Sequence, residues 1–311
     1  MSNSTQTLVT EFILLGFPEL HHLRGLLFRT FLAIYVMTVL ENLVIMVTIR
    51  ASCQLHTPMY FFLANLSVLE ILYTSVTVPK LLADLLAQAR TISFSGCLTQ
   101  LFLFHSLGSS ECFLLATMAC DRYLAICHPL HYLAIMDSRL CLYLAMGAWM
   151  DGFLACFVSM ALIFRLRFCG PNVLNHFFCD ISPLLQLSYS DINTIGVLDF
   201  VAALALLRTS LLVTMISYAH ILATVLRIPG RASSRKAFST CASHLVVVTI
   251  FYTTTIFMYA QPHAVSPFNL SKLVSVLYSV VTPLLNPIIY CLRNHDIREA
   301  LVKLLPAFRP S

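Results

Sequence analysis

Met118-Ala119-Cys120-Asp121-Arg122-Tyr123-Leu124-Ala125-Ile126-Cys127 stands where a long apolar run ends. Upstream, from Leu101, the residues are nearly all apolar or small. Downstream comes His128-Pro129-Leu130-His131-Tyr132, a polar segment with a helix breaker. An adjacent Asp-Arg pair at such a border is costly unless each charge finds a partner or reaches the interface. The chain around it therefore reads as a membrane bundle, with this pair at the rim of one of its helices.

Composition agrees. Of 311 residues, 59% are hydrophobic and only 11% charged, against about a quarter charged in a soluble domain. The net charge of +5 is modest, and no dense basic-aromatic tract suggests nucleic acid. Met1 to Leu23 lacks a basic start and is interrupted by Glu11 and Glu19, so it is not expected to be a signal peptide. A spanning helix takes about twenty apolar residues. Seven stretches qualify: Leu26–Thr48, Pro58–Val78, Cys97–Ile126, Leu140–Ile163, Ile195–Val225, Phe238–Tyr259 and Leu273–Leu292. His295 to Leu305 follows, with Ile297, Ala300, Leu301 and Leu304 at helical spacing, and is expected to lie on the membrane surface. The fold class is thus an all-α membrane protein, a seven-transmembrane bundle with a short amphipathic C-terminal helix. It divides into an extracellular N-terminus (1–25), a seven-transmembrane domain (26–292) and a cytoplasmic tail (293–311).

Basic residues in short loops set the orientation. Arg50, Arg139, Arg227, Arg231, Arg235, Lys236, Arg293, Arg298, Lys303 and Arg309 outnumber Arg24, Lys80, Arg90, Arg165, Arg167 and Lys272 on the other side. The N-terminus is then outside, with Asn3 a glycosylation sequon, and the C-terminus inside. Cys97, Cys169 and Cys179 fall in outer segments and are the disulfide candidates, while most other cysteines act as small packing residues.

Polar groups at membrane depth mark function by default. Glu41, Asn42, Glu70, Glu111 and Asn286 with Pro287 lie there, Glu111 about 16 Å along the helix from Arg122. Asn42, Glu70 and Glu111 form a candidate polar cluster. Adjacent carboxylates repel, so Glu70 and Glu111 would hold a sodium ion or share a proton; the alternative is a plain hydrogen-bonded network. No other metal or cofactor is expected. Asp151 and Arg208 sit mid-helix in the fourth and fifth spans, where each alone is uncompensated. They are expected either to pair or to be relieved by protonation and snorkelling.

Several motifs now fall in order: Leu55-His56-Thr57-Pro58-Met59-Tyr60, Met118 to Cys127, Ser217-Tyr218, Lys236-Ala237-Phe238-Ser239-Thr240-Cys241-Ala242-Ser243-His244, and Pro283-Leu284-Leu285-Asn286-Pro287-Ile288-Ile289-Tyr290. With this set the chain resembles the odorant receptors, within the rhodopsin-like G-protein-coupled receptors, and their tetrapod-type branch. The resemblance implies a plasma-membrane receptor for small volatile molecules that activates the olfactory stimulatory G protein and raises cyclic AMP, and no enzyme. It also implies a Cys97–Cys179 disulfide. Where the family usually has tyrosine, cysteine and glycine, this chain has Cys120, Tyr189 and Glu41; Asp151 and Arg208 are unusual too. Without its usual partner at 189, Cys169 is expected to be a free thiol.

The same resemblance implies the site. Phe104, His105, Gly108, Ser109 and Cys112 share a face of the third helix at helical spacing. Asp199, Ala202, Ala203 and Leu206 of the fifth should face them, with Tyr252, Thr255, Ile256 and Tyr259 of the sixth and Val276 and Ser279 of the seventh. Small residues leave space and a few hydroxyls offer hydrogen bonds, so a mostly apolar ligand with one polar group is expected. At the inner end, Asp121 should hold Arg122 at rest, which always needs an acceptor. Tyr123, Tyr218, His244, Asn286, Pro287 and Tyr290 complete the expected switch and the G-protein contact. Two other readings stay open: a rhodopsin-like receptor for a lipid or amine, and an ion or proton transporter using Glu41, Glu70 and Glu111. An intramembrane enzyme lacks any His-Glu-x-x-His motif or ligand spacing.

Overall fold

The computed structural model describes residues 9–87, 90–164, 166, 168, 172–187, 192–227, 231–259, 268–293 and 295–304. Asn3, Cys169 and Tyr189 lie outside the described residues.

Long helices carry most of the chain: α1 Arg24–Ala51, α2 Pro58–Leu86, α3 Phe94–Cys127, α4 Ser138–Phe164, α5 Ile192–Arg227 and α6 Arg231–Tyr259. The seventh apolar stretch is α7 Phe268–Val276 and α8 Thr282–Arg293, joined by a π turn over Leu277–Val281. A last helix, α9, covers His295–Leu304. Six of these segments are long and apolar enough to cross a membrane. In α6 the apolar stretch among the described residues is His244–Phe257. Threonines stand at 249, 253, 254 and 255 of this helix. Each of those hydroxyls donates to a carbonyl one turn back, at 2.6 to 2.8 Å, so none is left unsatisfied in apolar surroundings.

Helix ends differ from the expected ones for local reasons. α2 runs through Pro79 to Leu86 rather than stopping at Val78. Lys80 bridges to Asp84 one turn on and also donates to the Thr91 carbonyl at 2.9 Å, which holds the extra turns. α3 starts at the Ser93 cap, whose hydroxyl accepts the Gly96 amide at 3.1 Å. In α9, Ile297 and Ala300 are buried against the bundle core.

Three short strands, which hydropathy does not reveal, form one sheet in the order β2 Thr91–Ser93, β1 Glu11–Leu14, β3 Val173–Leu174. β1 pairs antiparallel with β2 and parallel with β3. The segment before α1 is thus built into the loops on this side of the bundle. Gly16 then turns the chain at φ 60°, a conformation only glycine adopts freely.

Candidate functional site

The loop after α4 is fastened over the bundle at several points. Cys179 is bonded to Cys97 at the start of α3. The Cys179 amide donates to Gln100 Oε1 at 2.9 Å, and Gln100 Nε2 donates to the Val76 carbonyl of α2 at 2.9 Å. His176 Nε2 lies 3.2 Å from Ser275 Oγ of α7. Lys272 Nζ donates to Asn175 Oδ1 at 2.6 Å and to the Gly16 carbonyl at 2.8 Å. Asp180 Oδ1 reaches His105 Nε2 of α3 at 3.5 Å. Burial lowers the His176 imidazole to a pKa of about 4, against the opposing pull of Asp180 and with Lys272 pushing the same way.

Beneath this loop a cleft opens between α3, α5, α6 and the π turn. It is lined by His105, Gly108, Ser109, Cys112, Ala203, Leu206, Leu207, Thr255 and Tyr278, and its cavity volume is about 40 Å³. Seven of these are residues expected to face one another. Leu207 and Tyr278 were not foreseen. Tyr278 lies in the π turn, where regular helical spacing does not hold; the residues that the resemblance implied on this helix are Val276 and Ser279. Gly108 makes room for it: a Cβ there would stand 2.6 Å from the Tyr278 hydroxyl.

The other expected residues divide. Phe104 is buried but spent on packing, with ring centroids 4.7 Å from Tyr73 and 4.6 Å from Phe178. Ser279 is buried, and its hydroxyl donates to the Ser275 carbonyl at 2.7 Å. Tyr252 is buried beside Phe251, and Val276 packs on the core; Ala202 is half-buried outside the cleft lining. Ile256 is a correction: it is 42% exposed on the outer face of α6, because Thr255, one residue before it, is the one turned inward. Asp199 and Tyr259 lie on α5 and α6, their side chains outside the described residues.

Polarity in the cleft is sparse. His105 Nδ1 is 3.0 Å from the Leu101 carbonyl, and Thr255 Oγ1 donates to the Phe251 carbonyl at 2.7 Å. Ser109 Oγ has the Cys156 thiol at 3.7 Å. A serine facing a weak sulfur partner is the hydroxyl most open to exchange it for a ligand.

Deeper in the bundle, Asn286 Nδ2 donates to Glu70 Oε1 and, at 3.4 Å, to Glu111 Oε1. One amide thus bridges two fully buried carboxylates. Asn42 does not join them; its Nδ2 donates to the Thr38 carbonyl of its own helix at 2.9 Å. Among the described residues, Glu70 Oε2 and Asn286 Oδ1 have no hydrogen-bond partner.

At the far end of α3, Arg122 Nη2 donates to Asp121 Oδ2 at 2.8 Å. The second oxygen of Asp121 accepts from the Tyr132 hydroxyl at 2.7 Å. Tyr132 comes from a short helix, Tyr132–Ile135, in the next loop, and was not foreseen. Burial, then the Asp121 charge, raises the pKa of its phenol, so it stays a donor. Tyr218 of α5 is hydrogen-bonded to His244 of α6 rather than to Arg122. Cys120 lies 3.8 Å from Ser217, and Tyr123 bonds His128 at 3.1 Å. Pro287 sits inside α8; the Tyr290 side chain lies outside the described residues.

Asp151 and Arg208 do not pair within the chain. Both are exposed on the outer faces of α4 and α5, and no ion pair joins them among the described residues.

Comparison with known proteins agrees with this layout. A model of the olfactory receptor family matches residues 31–307. Olfactory receptor 226 of Rattus norvegicus is 55% identical over 96% of this chain and 92% of its own length. Olfactory receptor 6A2 of Homo sapiens is 54% identical over 94% and 91%, and olfactory receptor 6B1 of Homo sapiens is 52% identical over 98% and 97%. With its apolar membrane helices and near-complete match to these relatives, the chain belongs to the olfactory receptor family: it is a multi-pass plasma-membrane odorant receptor and not an enzyme.

Proposed function

We propose that the cleft under the disulfide-anchored loop holds a small volatile ligand carrying one polar group, such as an alcohol, aldehyde, ketone or ester. The observation that carries this is the convergence of four segments on one mostly apolar space, with the Ser109 hydroxyl and the His105 imidazole as its polar points. A mostly apolar lining with few polar groups suits such a ligand. In this reading all seven helices cross the membrane, α6 included, since its threonines are internally satisfied. The N-terminus is extracellular and the C-terminus cytoplasmic.

Binding at Thr255 and Tyr278 touches α6 and the π turn, the elements that also reach the inner end. A ligand that prefers one of two arrangements shifts a pre-existing equilibrium. The resting arrangement is Asp121 held between Arg122 and Tyr132, with Tyr218 held by His244. Release of Arg122 opens an inner crevice for a stimulatory olfactory G protein, and cyclic AMP rises. By linkage, the G protein tightens ligand binding by the factor by which the ligand favours it. The Glu70–Asn286–Glu111 bridge is the joint between these ends. Its oxygen-only donor set, with two partnerless oxygens, suits a sodium ion or a shared proton.

A cyclic AMP reporter screen against a panel of volatiles tests the reading. We expect at least one agonist whose potency falls about tenfold in Ser109→Val, the size of one lost hydrogen bond. Arg122→Ala should abolish signalling yet leave the receptor at the surface. Normal cyclic AMP from Arg122→Ala would remove the switch assignment, and an unchanged agonist series in Ser109→Val would remove the cleft.

A further inference from the structure

Asp151 and Arg208 are two mid-helix charges that neither the cleft nor the switch uses. Their direction is locked by the residues beside them. On α4, Gly152 is pressed against α3: a Cβ there would lie 2.1 Å from Ser110 Oγ and 2.6 Å from the Ser110 amide nitrogen. Asp151, one step round the helix, is thereby turned outward and exposed. On α5, Leu207 lines the cleft and Ser210 is buried, so Arg208 between them faces outward as well. Neither helix can rotate its charge inward without driving a packed residue out.

Each charge costs about 2.5–3.5 kcal/mol near the centre of a bilayer when left to lipid. α4 and α5 are also the least covered spans, each with 22% of its apolar window buried, against 56% for α2 and 72% for α3. One turn from Asp151, Gly147 has nothing within 4 Å of where a Cβ would stand, which leaves a shallow notch for an approaching helix.

We propose that this face receives a second copy of the same chain. A two-fold axis along the membrane normal sets Asp151 of one copy against Arg208 of the other, and the reverse, so one isologous contact neutralises all four charges. Opposite charges on adjacent outward faces make the surface self-complementary. A lipid headgroup meets only the arginine and leaves both aspartates uncompensated.

Charge exchange tests it in the full-length receptor, in lipid nanodiscs and at the cell surface, with two fluorescent labels reading association. Asp151→Arg alone and Arg208→Asp alone each place like charges across the axis, so each should self-associate about tenfold or more weakly than the unaltered chain, as two lost interhelical pairs imply. Mixing the two variants restores both pairs, and association should return. The neutral double variant Asp151→Asn/Arg208→Gln carries no charge into the membrane and controls for folding; it should reach the surface and stay monomeric. Self-association of that neutral variant at the original strength would overturn the proposal. So would a mixture of the two charge variants that remains dispersed, which is the outcome for lipid-bound or snorkelling charges. Recovery only when both exchanges sit on one chain would place the pair within the monomer and overturn it equally.

Discussion

Gly108→Ala isolates how one missing methyl group shapes the cleft. The new Cβ would stand 2.6 Å from the Tyr278 hydroxyl, 3.8 Å from Tyr73 Cε2 and 3.9 Å from Tyr278 Cζ. The two carbon contacts are ordinary, so the whole conflict is with one oxygen. Tyr278 is buried and its ring meets Tyr73 and Phe104 at 5.6 and 5.9 Å, so the oxygen can yield only toward the cleft. Overpacking of this kind costs about 1–3 kcal/mol. Replacing glycine by alanine inside a helix returns about 1 kcal/mol. Gly108→Ala should therefore lose between about 0 and 2 kcal/mol of stability, and its agonist potency should fall as Tyr278 narrows the cleft. In a Tyr278→Phe background the oxygen is gone and the nearest ring atom is already at contact distance, so the same alanine should become stabilising. The coupling energy in that double-mutant cycle should be about 1–3 kcal/mol. Thermal unfolding of the purified receptor and dose-response curves both read it. Additive effects of the two substitutions would refute the reasoning, since the Tyr278 oxygen would then not be the obstacle.

Tyr132→Phe removes one of the two bonds that hold Asp121, at a cost of about 1–3 kcal/mol to the resting latch; basal cyclic AMP should rise several-fold without agonist, and unchanged basal output would exclude Tyr132 from the latch. His176 makes the loop over the cleft acid-sensitive. Its folded pKa of about 4 lies below the unfolded value of about 6.5, so its contribution to stability is complete above about pH 6.5 and disappears as the pH falls toward 4, with about 2 kcal/mol lost at pH 5. Faster amide exchange in residues 172–180 at pH 5 than at pH 7, after correction for intrinsic rates, and its absence in His176→Asn, is the expected result; protection independent of pH in the unaltered chain would contradict it.

Much of this molecule is written in residue type and spacing. Twenty-residue apolar runs need no tertiary information, because a segment in lipid has to satisfy its backbone within itself and the helix does so. The Asp121–Arg122 pair was legible because charges at a membrane border must be held by something. The i, i+3, i+4 face from His105 to Cys112 was legible for the same kind of reason, helical geometry being fixed.

Other features exist only once distant segments meet. β1 has four residues and no hydrophobic pattern that separates it from a tail; its partners at residues 91 and 173 make it a strand. Tyr132 becomes a latch residue because the loop after Pro129 folds back on Asp121. Tyr278 enters the cleft from a π turn, which breaks the regular helical period. Whether Asp151 and Arg208 face each other or the lipid depends on helix rotation, and that was set by Gly152 against Ser110 and by Leu207 in the cleft. Hydropathy and motif order are properties of one helix at a time, so the sequence by itself determined the apolar helices, the family and the residues at the inner end of α3. The pairing of oxygen with oxygen, ring with ring and charge with lipid is a property of several helices at once, and only the tertiary structure decided it.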